Sequence, residues 1–205
     1  MEVIYSNDLM NGYINNKNFI GFFGEQEDLT SIISNLETVK IKPNSKVKKV
    51  ISNNTEYLNL LNLSESILNK KIKELSYSEY KLIMLIKISI MHPNIIILNN
   101  FDLGLNYKVK SKVSRFIKTI NATFHTNFII ISNDVLFINK NAKHIIISRN
   151  KIIKYQGDLI TAIRQNKLPK PPILEFIDLA NEQGAKLTDT LDSKELLKDI
   201  YRSVF

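Results

Sequence analysis

Apolar residues fall in short blocks separated by polar turns. Phe19-Ile20-Gly21-Phe22-Phe23-Gly24 reads as a short strand running into a glycine turn. Leu29, Ile32, Ile33 and Leu36 follow at helical spacing, which predicts a strand, a glycine loop and a helix in that order. Residues 53–74 read as broadly helical, with Leu58, Leu61, Leu63, Ile67, Leu68 and Ile72 as their apolar positions. Ser76 suits an N-cap for a strongly apolar helix over 79–91, which His92-Pro93 should end. Asn94-Ile95-Ile96-Ile97-Leu98 and Asn127-Phe128-Ile129-Ile130-Ile131 are continuous apolar runs of the kind found in buried parallel strands. An amphipathic helix over 107–120 lies between them. Strands over 143–148 and 151–154 follow, joined by a turn at Arg149-Asn150.

This alternation predicts an α/β domain with a mainly parallel sheet flanked by helices. The pattern shifts at Leu168-Pro169-Lys170-Pro171-Pro172, which reads as a linker. Residues 1–167 then form the core, and 168–205 a small helical C-terminal extension. The extension holds two short helices, over 173–182 and 193–204, the second capped by Asp192 or Ser193 with Glu195 close behind.

Composition narrows the chemistry. The chain has 205 residues, 44% of them hydrophobic, enough for one proper core. It has no cysteine, which excludes disulfides, thiolate metal sites and cysteine nucleophiles. Its three histidines, His92, His125 and His144, lack metal-site spacing, so no metal site is expected. No apolar run reaches the length of a membrane span, and Met1-Glu2-Val3-Ile4 lacks a signal pattern, which reads as cytoplasmic. The formal net charge of +8 permits an anionic partner. Yet the only dense group, Lys40, Lys42, Lys46, Lys48 and Lys49, has no interleaved aromatics and reads as a solvated face, so nucleic acid is not expected as a partner.

Leu75-Ser76-Tyr77-Ser78-Glu79 resembles the LSGGQ signature of ABC-type ATPase subunits, and Ile95-Ile96-Ile97-Leu98-Asn99-Asn100 resembles their Walker B strand, which ends in Asp-Glu. Gly104-Leu105-Asn106 is similar to the following GLD loop. Ile129-Ile130-Ile131-Ser132-Asn133-Asp134 is similar to the strand that ends in a switch histidine, and Asn150 to Lys154 to the hairpin after it. Gly21 to Asp28 sits where the phosphate-binding GxxGxGKS loop belongs. These matches come in the family's order and cover about residues 15 to 165. The tail, from Leu168-Pro169 through Asn181-Glu182-Gln183-Gly184 to Ser193-Lys194-Glu195-Leu196-Leu197, resembles the extension of energy-coupling-factor (ECF) importer ATPases. The resemblance implies an abbreviated P-loop NTPase-like core, since only the span from Glu27 to Asn99 is left for the usual helical insertion.

The departures bear on function. The family's P-loop uses a lysine and backbone N–H groups to cradle phosphates, and a Ser or Thr to hold Mg²⁺. Here Gly21 and Gly24 remain, while Glu27 and Asp28 stand at the lysine and serine positions. A unit charge at 4 Å is worth about 4 kcal/mol at an effective dielectric near 20. Reversing its sign swings that by about 8 kcal/mol at most, and a quarter of it costs more than about tenfold in affinity. Asn99 replaces the magnesium-binding Asp, Asn100 the general base and Asn133 the switch histidine, and an amide cannot take the proton of an attacking water. Tyr77 and Ser78 replace the two signature glycines, between Ser76 and Glu79. No catalytic or nucleotide-binding residue is therefore expected, and no cofactor. The resemblance then implies a pseudo-ATPase, a structural or regulatory protein subunit of an ECF-like complex. Its partner would be an ABC-type ATPase, a transporter membrane subunit at the inner face of the cell membrane, or a second copy. Two readings compete: a divergent enzyme holding ATP and Mg²⁺ through ligands such as Asp102 and Asp134, and a basic nucleic-acid-binding module.

Overall fold

In a computed structural model, residues 4–6, 18–31, 33 and 35–204 are described. Seven strands form one sheet: β1 (Ile4–Ser6), β2 (Phe19–Phe23), β3 (Glu37–Thr38), β4 (Ile95–Asn99), β5 (Asn127–Ile131), β6 (His144–Arg149) and β7 (Ile152–Asp158). Their order is β3-β1-β4-β5-β2-β6-β7. The inner four, β4-β5-β2-β6, are parallel; β1 and β7 flank them antiparallel. The expected mainly parallel sheet is therefore present, and the glycine-turn strand β2 lies at its heart.

The helices are α1 (Val47–Val50), α2 (Glu56–Leu60), α3 (Tyr77–Ser89), α4 (Tyr107–Phe124), α5 (Val135–Asn141), α6 (Leu159–Arg164), α7 (Pro172–Glu182) and α8 (Ser193–Val204). Each of them contributes to one core cluster, built on one face of the sheet by Ile96 and Leu98 of β4, Phe128 and Ile130 of β5, and Ile145 and Ile147 of β6. The alternate residues point the other way: Ile95, Ile97, Ile129, Ile131, Ile20 and Phe22 form a second cluster. Among the described residues, that second face is covered by Leu29, Ile33 and Leu36 rather than by an α-helix.

Two expected helices take another form. After β2 the chain forms a 3₁₀ helix, Gln26–Ser31, where the start of the helix expected over 29–36 would lie; residues 32 and 34 of that expectation lie outside the described residues. Asn35 takes a left-handed backbone with φ 51°, which no continuing helix allows. Residues 53–74 hold only α2 and two 3₁₀ turns, Glu65–Asn69 and Ile72–Glu74. Left-handed Asn53 and Asn62 interrupt any longer helix. The expected helices and strands after Ser76 are present with ends shifted by a few residues. Elements α1, α5, α6, β1 and β3 were not legible as separate blocks. In the tail, Leu174, Ile177, Leu187, Leu191 and Leu196 join the main core cluster.

Candidate functional site

The carboxyl ends of β2, β5 and β6 open onto a cavity of about 550 Å³. This is where a doubly wound sheet normally offers its crevice, because neighbouring connections leave in opposite directions. The glycine turn, Ser132, Asn133, the β6–β7 hairpin and Lys167 line it. Carboxylates come from Glu25, Glu27 and Asp28, and cations from Arg149, Lys151 and Lys167.

The two glycines have separate tasks. Gly21 lies inside β2, where a Cβ would stand 2.6 Å from Ile138 of α5, so its absence lets that helix sit on the strand. Gly24 makes the turn itself: a Cβ there would come within 2.9 Å of the Ser148 carbonyl and 3.0 Å of Asp28 Oδ2. Asp28 is buried, and its carboxylate accepts the Glu25 N–H at 3.1 Å and the Lys151 N–H at 2.5 Å. It thereby holds the turn closed and ties it to the hairpin, whose Asn150 and Lys151 are both left-handed. In a phosphate-binding loop such N–H groups face the ligand. Here a carboxylate of the chain takes one of them, and the α-helix whose N-terminus would add a favourable dipole is a 3₁₀ segment. Glu27 is exposed at its start.

One strand away, Asn99 ends β4 and accepts a 3.1 Å bond from the Asn100 side-chain amide. Asn100 adopts φ 49° and donates its N–H to the Ile131 carbonyl. Neither asparagine lines the cavity, whereas exposed Asn133 does.

The signature segment is a helix start. Ser76 accepts the Glu79 N–H, Glu79 accepts the Ser76 N–H, and together they form a capping box on α3. The Ser76 N–H, and then Lys70 at 3.4 Å, hold the Glu79 carboxyl below its ordinary range. Ser78 is half-buried in the same turn. The Tyr77 ring lies over Gly104, where a Cβ would meet it at 2.8 Å and the backbone has φ 71°.

Sequence reasoning missed the lysine beneath that ring. Lys81 is fully buried, and its ammonium donates to the carbonyls of Phe101 at 2.8 Å, Leu103 at 2.5 Å and Asn100 at 3.4 Å. It lies 4.7 Å from the Tyr77 ring centre and 5.4 Å from that of Phe101. The loop after β4 is thus fastened to the signature helix from inside. A lysine at the start of an apolar helix gave no sequence signal, since its partners come from a distant loop.

A second missed lysine settles the two spare acids. Lys110 of α4 bonds Asp134 at 2.8 Å and lies 3.6 Å from buried Asp102. Burial alone would lower the Lys110 pKa, but Asp134 and then Asp102 raise it. Burial would likewise raise Asp134, yet the Lys110 ammonium and the Phe137 N–H bring it below the ordinary carboxylate range. Asp134 is the N-cap of α5, and a cation of the chain already stands between the two carboxylates. Among the described residues, no cluster of three His, Cys, Asp or Glu side chains could hold a metal ion.

No protein-family profile matches the chain. It is 26% identical over 160 residues to a zinc import ATP-binding protein ZnuC of Ehrlichia chaffeensis, covering 75% of this chain and 63% of that protein. It spans only 43% of the corresponding Ehrlichia canis protein, so it matches less than two thirds of these relatives' length. Among solved structures, the ATP-binding subunit of an ABC transporter superposes with a TM-score of 0.59 at 12% identity, covering 88% of this chain and 100% of that one. A dimeric bacterial ABC transporter cassette, MJ0796, gives 0.55 at 12%, over 77% and 98%. A cobalt transport ATP-binding protein described as putative gives 0.50 at 12%, over 75% and 79%. The fold is that of ABC ATPases, and the sequence is similar to ABC transporter ATP-binding subunits.

Proposed function

We propose that this chain is a pseudo-ATPase: an ABC ATPase-like protein that serves as a structural or regulatory subunit of a transporter complex and does not hydrolyse ATP. The observation that carries this reading is Asp28. Its buried carboxylate takes the Glu25 N–H at the turn where a nucleotide's phosphates would lie and the Lys151 N–H of the facing hairpin, and Glu25 and Glu27 add further negative charge. These residues do not fit a magnesium nucleotide. Phosphate oxygens would meet carboxylates, and the Walker B position offers two amides already bonded to each other.

Removing chemistry leaves the scaffold. The scaffold of sheet, helices and tail remains, and its exposed side chains, Phe176, Leu179, Leu197 and Tyr201 of the tail among them, are available for subunit contact. Relatives described as import ATP-binding proteins, and a neighbour described as dimeric, support pairing with an ATPase-like subunit. Among the described residues no helix is long and apolar enough to cross a membrane. The proposed setting is the inner face of the cell membrane, through contact with a membrane subunit. The cobalt transport neighbour and the tail resemblance support an ECF-like complex as its setting.

Isothermal calorimetry with Mg-ATP up to millimolar concentration tests the reading. The expected result is no saturable heat, and a micromolar dissociation constant would overturn it. A second test restores the P-loop chemistry. Glu27→Lys with Asp28→Ser should still give no turnover, since Asn100 and Asn133 lack the base and the switch group, and such groups act as a unit. Hydrolysis above a matched blank would place the base elsewhere.

A further inference from the structure

We propose that the segment between β3 and α3 is a docking surface for anionic phospholipid headgroups, so that the chain meets the membrane directly as well as through a subunit. The inference rests on the proposed function only for its setting, the inner face of a cell membrane, and not on whether the chain binds nucleotide.

In the sequence this segment shows one run, the five lysines between residues 40 and 49, with no Asp or Glu until Glu56. The fold enlarges it. Val47 donates its N–H to the Lys70 carbonyl, Ile72 to that of Ser45 and Lys73 to that of Pro43, each at 3.0 Å. These bonds lay residues 43–47 antiparallel to 70–73 and bring Lys71 and Lys73 beside the run. Lys46 and Lys71 stand directly opposite each other in an antiparallel bridge. Its hydrogen bonds fall on the flanking residues, so this is the closely spaced kind of pair, with both side chains on one face. The short helix α1 buries Val47 and Val50 and leaves Lys48 and Lys49 exposed. All seven lysines are exposed, against three exposed carboxylates in the same segment, Glu56, Glu65 and Glu74. Among the described residues none of the seven forms an ion pair, whereas the eighth lysine, Lys70, pairs with Glu79. Like charges directly opposite are destabilising, so the bridge gains from an anion laid across it. Val47, Ile51, Leu58, Ile67 and Ile72 anchor the segment in the main core, which gives the lysines a firm base.

The chemistry of this face selects among anionic partners. Single-stranded nucleic acid is held by exposed rings on which bases stack, but Tyr57, the one aromatic residue of the segment, is buried. Forked recognition of a particular phosphate is the work of arginine, and the segment has none; lysine is a hydrated point charge. A protein partner needs a large apolar anchor, and among the described residues of the segment only Leu60 is large, apolar and exposed. What is left is a spread of point charges without ring or fork. It fits many phosphates in no fixed register, as on a bilayer rich in anionic lipid, where each lysine near the surface strengthens binding about fivefold. The net charge of +8 draws the whole chain toward such a surface, and this face carries the attraction at contact.

Co-sedimentation of the full chain with sucrose-loaded vesicles tests this, with phosphatidylcholine containing about one quarter phosphatidylglycerol set beside phosphatidylcholine alone. The expected result is binding to the anionic vesicles only, lost as salt rises from about 0.1 M to about 1 M and the Debye length falls from about 10 Å to about 3 Å. Lys46→Glu should weaken binding at least about tenfold while the melting temperature holds or rises, because unlike charges then face each other across the bridge. Lys48→Ala with Lys49→Ala should weaken it about 25-fold, and Lys194→Ala with Lys198→Ala on α8 should change it little. Equal binding to both vesicles, or to neither, would overturn the proposal. So would binding that the α8 variant loses and the other two keep, or a single-stranded oligonucleotide that displaces the vesicles and binds through the same lysines. Calorimetry on the same protein separates the two readings. Saturable Mg-ATP binding by a chain that still sediments with anionic vesicles would overturn the pseudo-ATPase reading and leave the surface standing. A chain that neither binds Mg-ATP nor sediments would do the reverse.

Discussion

Lys81 is a cation held, among the described residues, by three backbone carbonyls and two ring faces. Exchanging it for methionine keeps much of the stem and deprives those carbonyls of their donor. An unsatisfied buried acceptor costs about 1–3 kcal/mol. Lys81→Met is expected to lower the unfolding free energy by an amount of that order, and to speed hydrogen exchange at residues 100–104. Chemical denaturation read beside exchange would show it, and wild-type values in both would mean that the lysine is passive. Asp134 gives a pH signature. Its folded pKa lies below the unfolded value, so its contribution is present above the ordinary aspartate range near 4 and fades as pH falls through the folded value. Asp134→Asn should therefore flatten the loss of stability between neutral pH and about pH 3. Equal slopes in urea melts of the two proteins would refute this. Single residues were the hardest scale to read from sequence. Asn99, Asn100, Asn133 and Glu27 stand out in the sequence only against the motifs it resembles. Lys81 and Lys110 do not stand out, because the carbonyls that hold Lys81 lie 19 to 22 residues away and the closer carboxylate of Lys110, Asp134, lies 24 residues away.

Between residues and fold, the long apolar blocks read well. Strands β4 and β5 and helix α8 appear almost where their patterns put them, since burial on both faces or along one stripe leaves a clear trace. The Ser76 cap was also legible, because Ser and Glu three positions apart are a local device. The misreadings share a cause. At 29–36 and 53–74 apolar spacing matched a helix, while asparagines at φ 51°, 60° and 49° bent the backbone out of it. One joint between elements offers a test. Gly104 combines φ 71° with a Tyr77 ring 2.8 Å from where its Cβ would be. Gly104→Ala should cost at least about 1 kcal/mol, from backbone strain and displacement of the ring. Adding Tyr77→Ala should recover the second part only, so the two changes are expected to be non-additive in a double-mutant cycle. Strict additivity would mean that ring and loop are independent.

Across the whole molecule, the tail that reads as an extension after a proline cluster also contributes to the main core. Leu174, Ile177, Leu187, Leu191 and Leu196 are buried there, and Arg164 of α6 pairs with Asp178 at 2.6 Å and with Asp189. Each such apolar side chain is worth about 1.5–3 kcal/mol, so losing them all rivals the stability of an ordinary domain. Deleting residues 169–205 is expected to leave a protein that melts far lower or aggregates. A truncated chain with an unchanged melting temperature would show that the tail is only docked. The position of β2 has a consequence in time rather than in energy. This early strand is gripped on both edges by β5 and β6, which lie in the last half of the chain. It has no parallel neighbour until residues 127–149 have been synthesised. The central sheet therefore cannot close on the ribosome while the first half of the chain emerges. Such non-local pairing slows folding. A nascent or refolding chain must keep Phe19 to Phe23 out of wrong strand pairings until its two neighbours arrive, a span in which a chaperone would find its natural work.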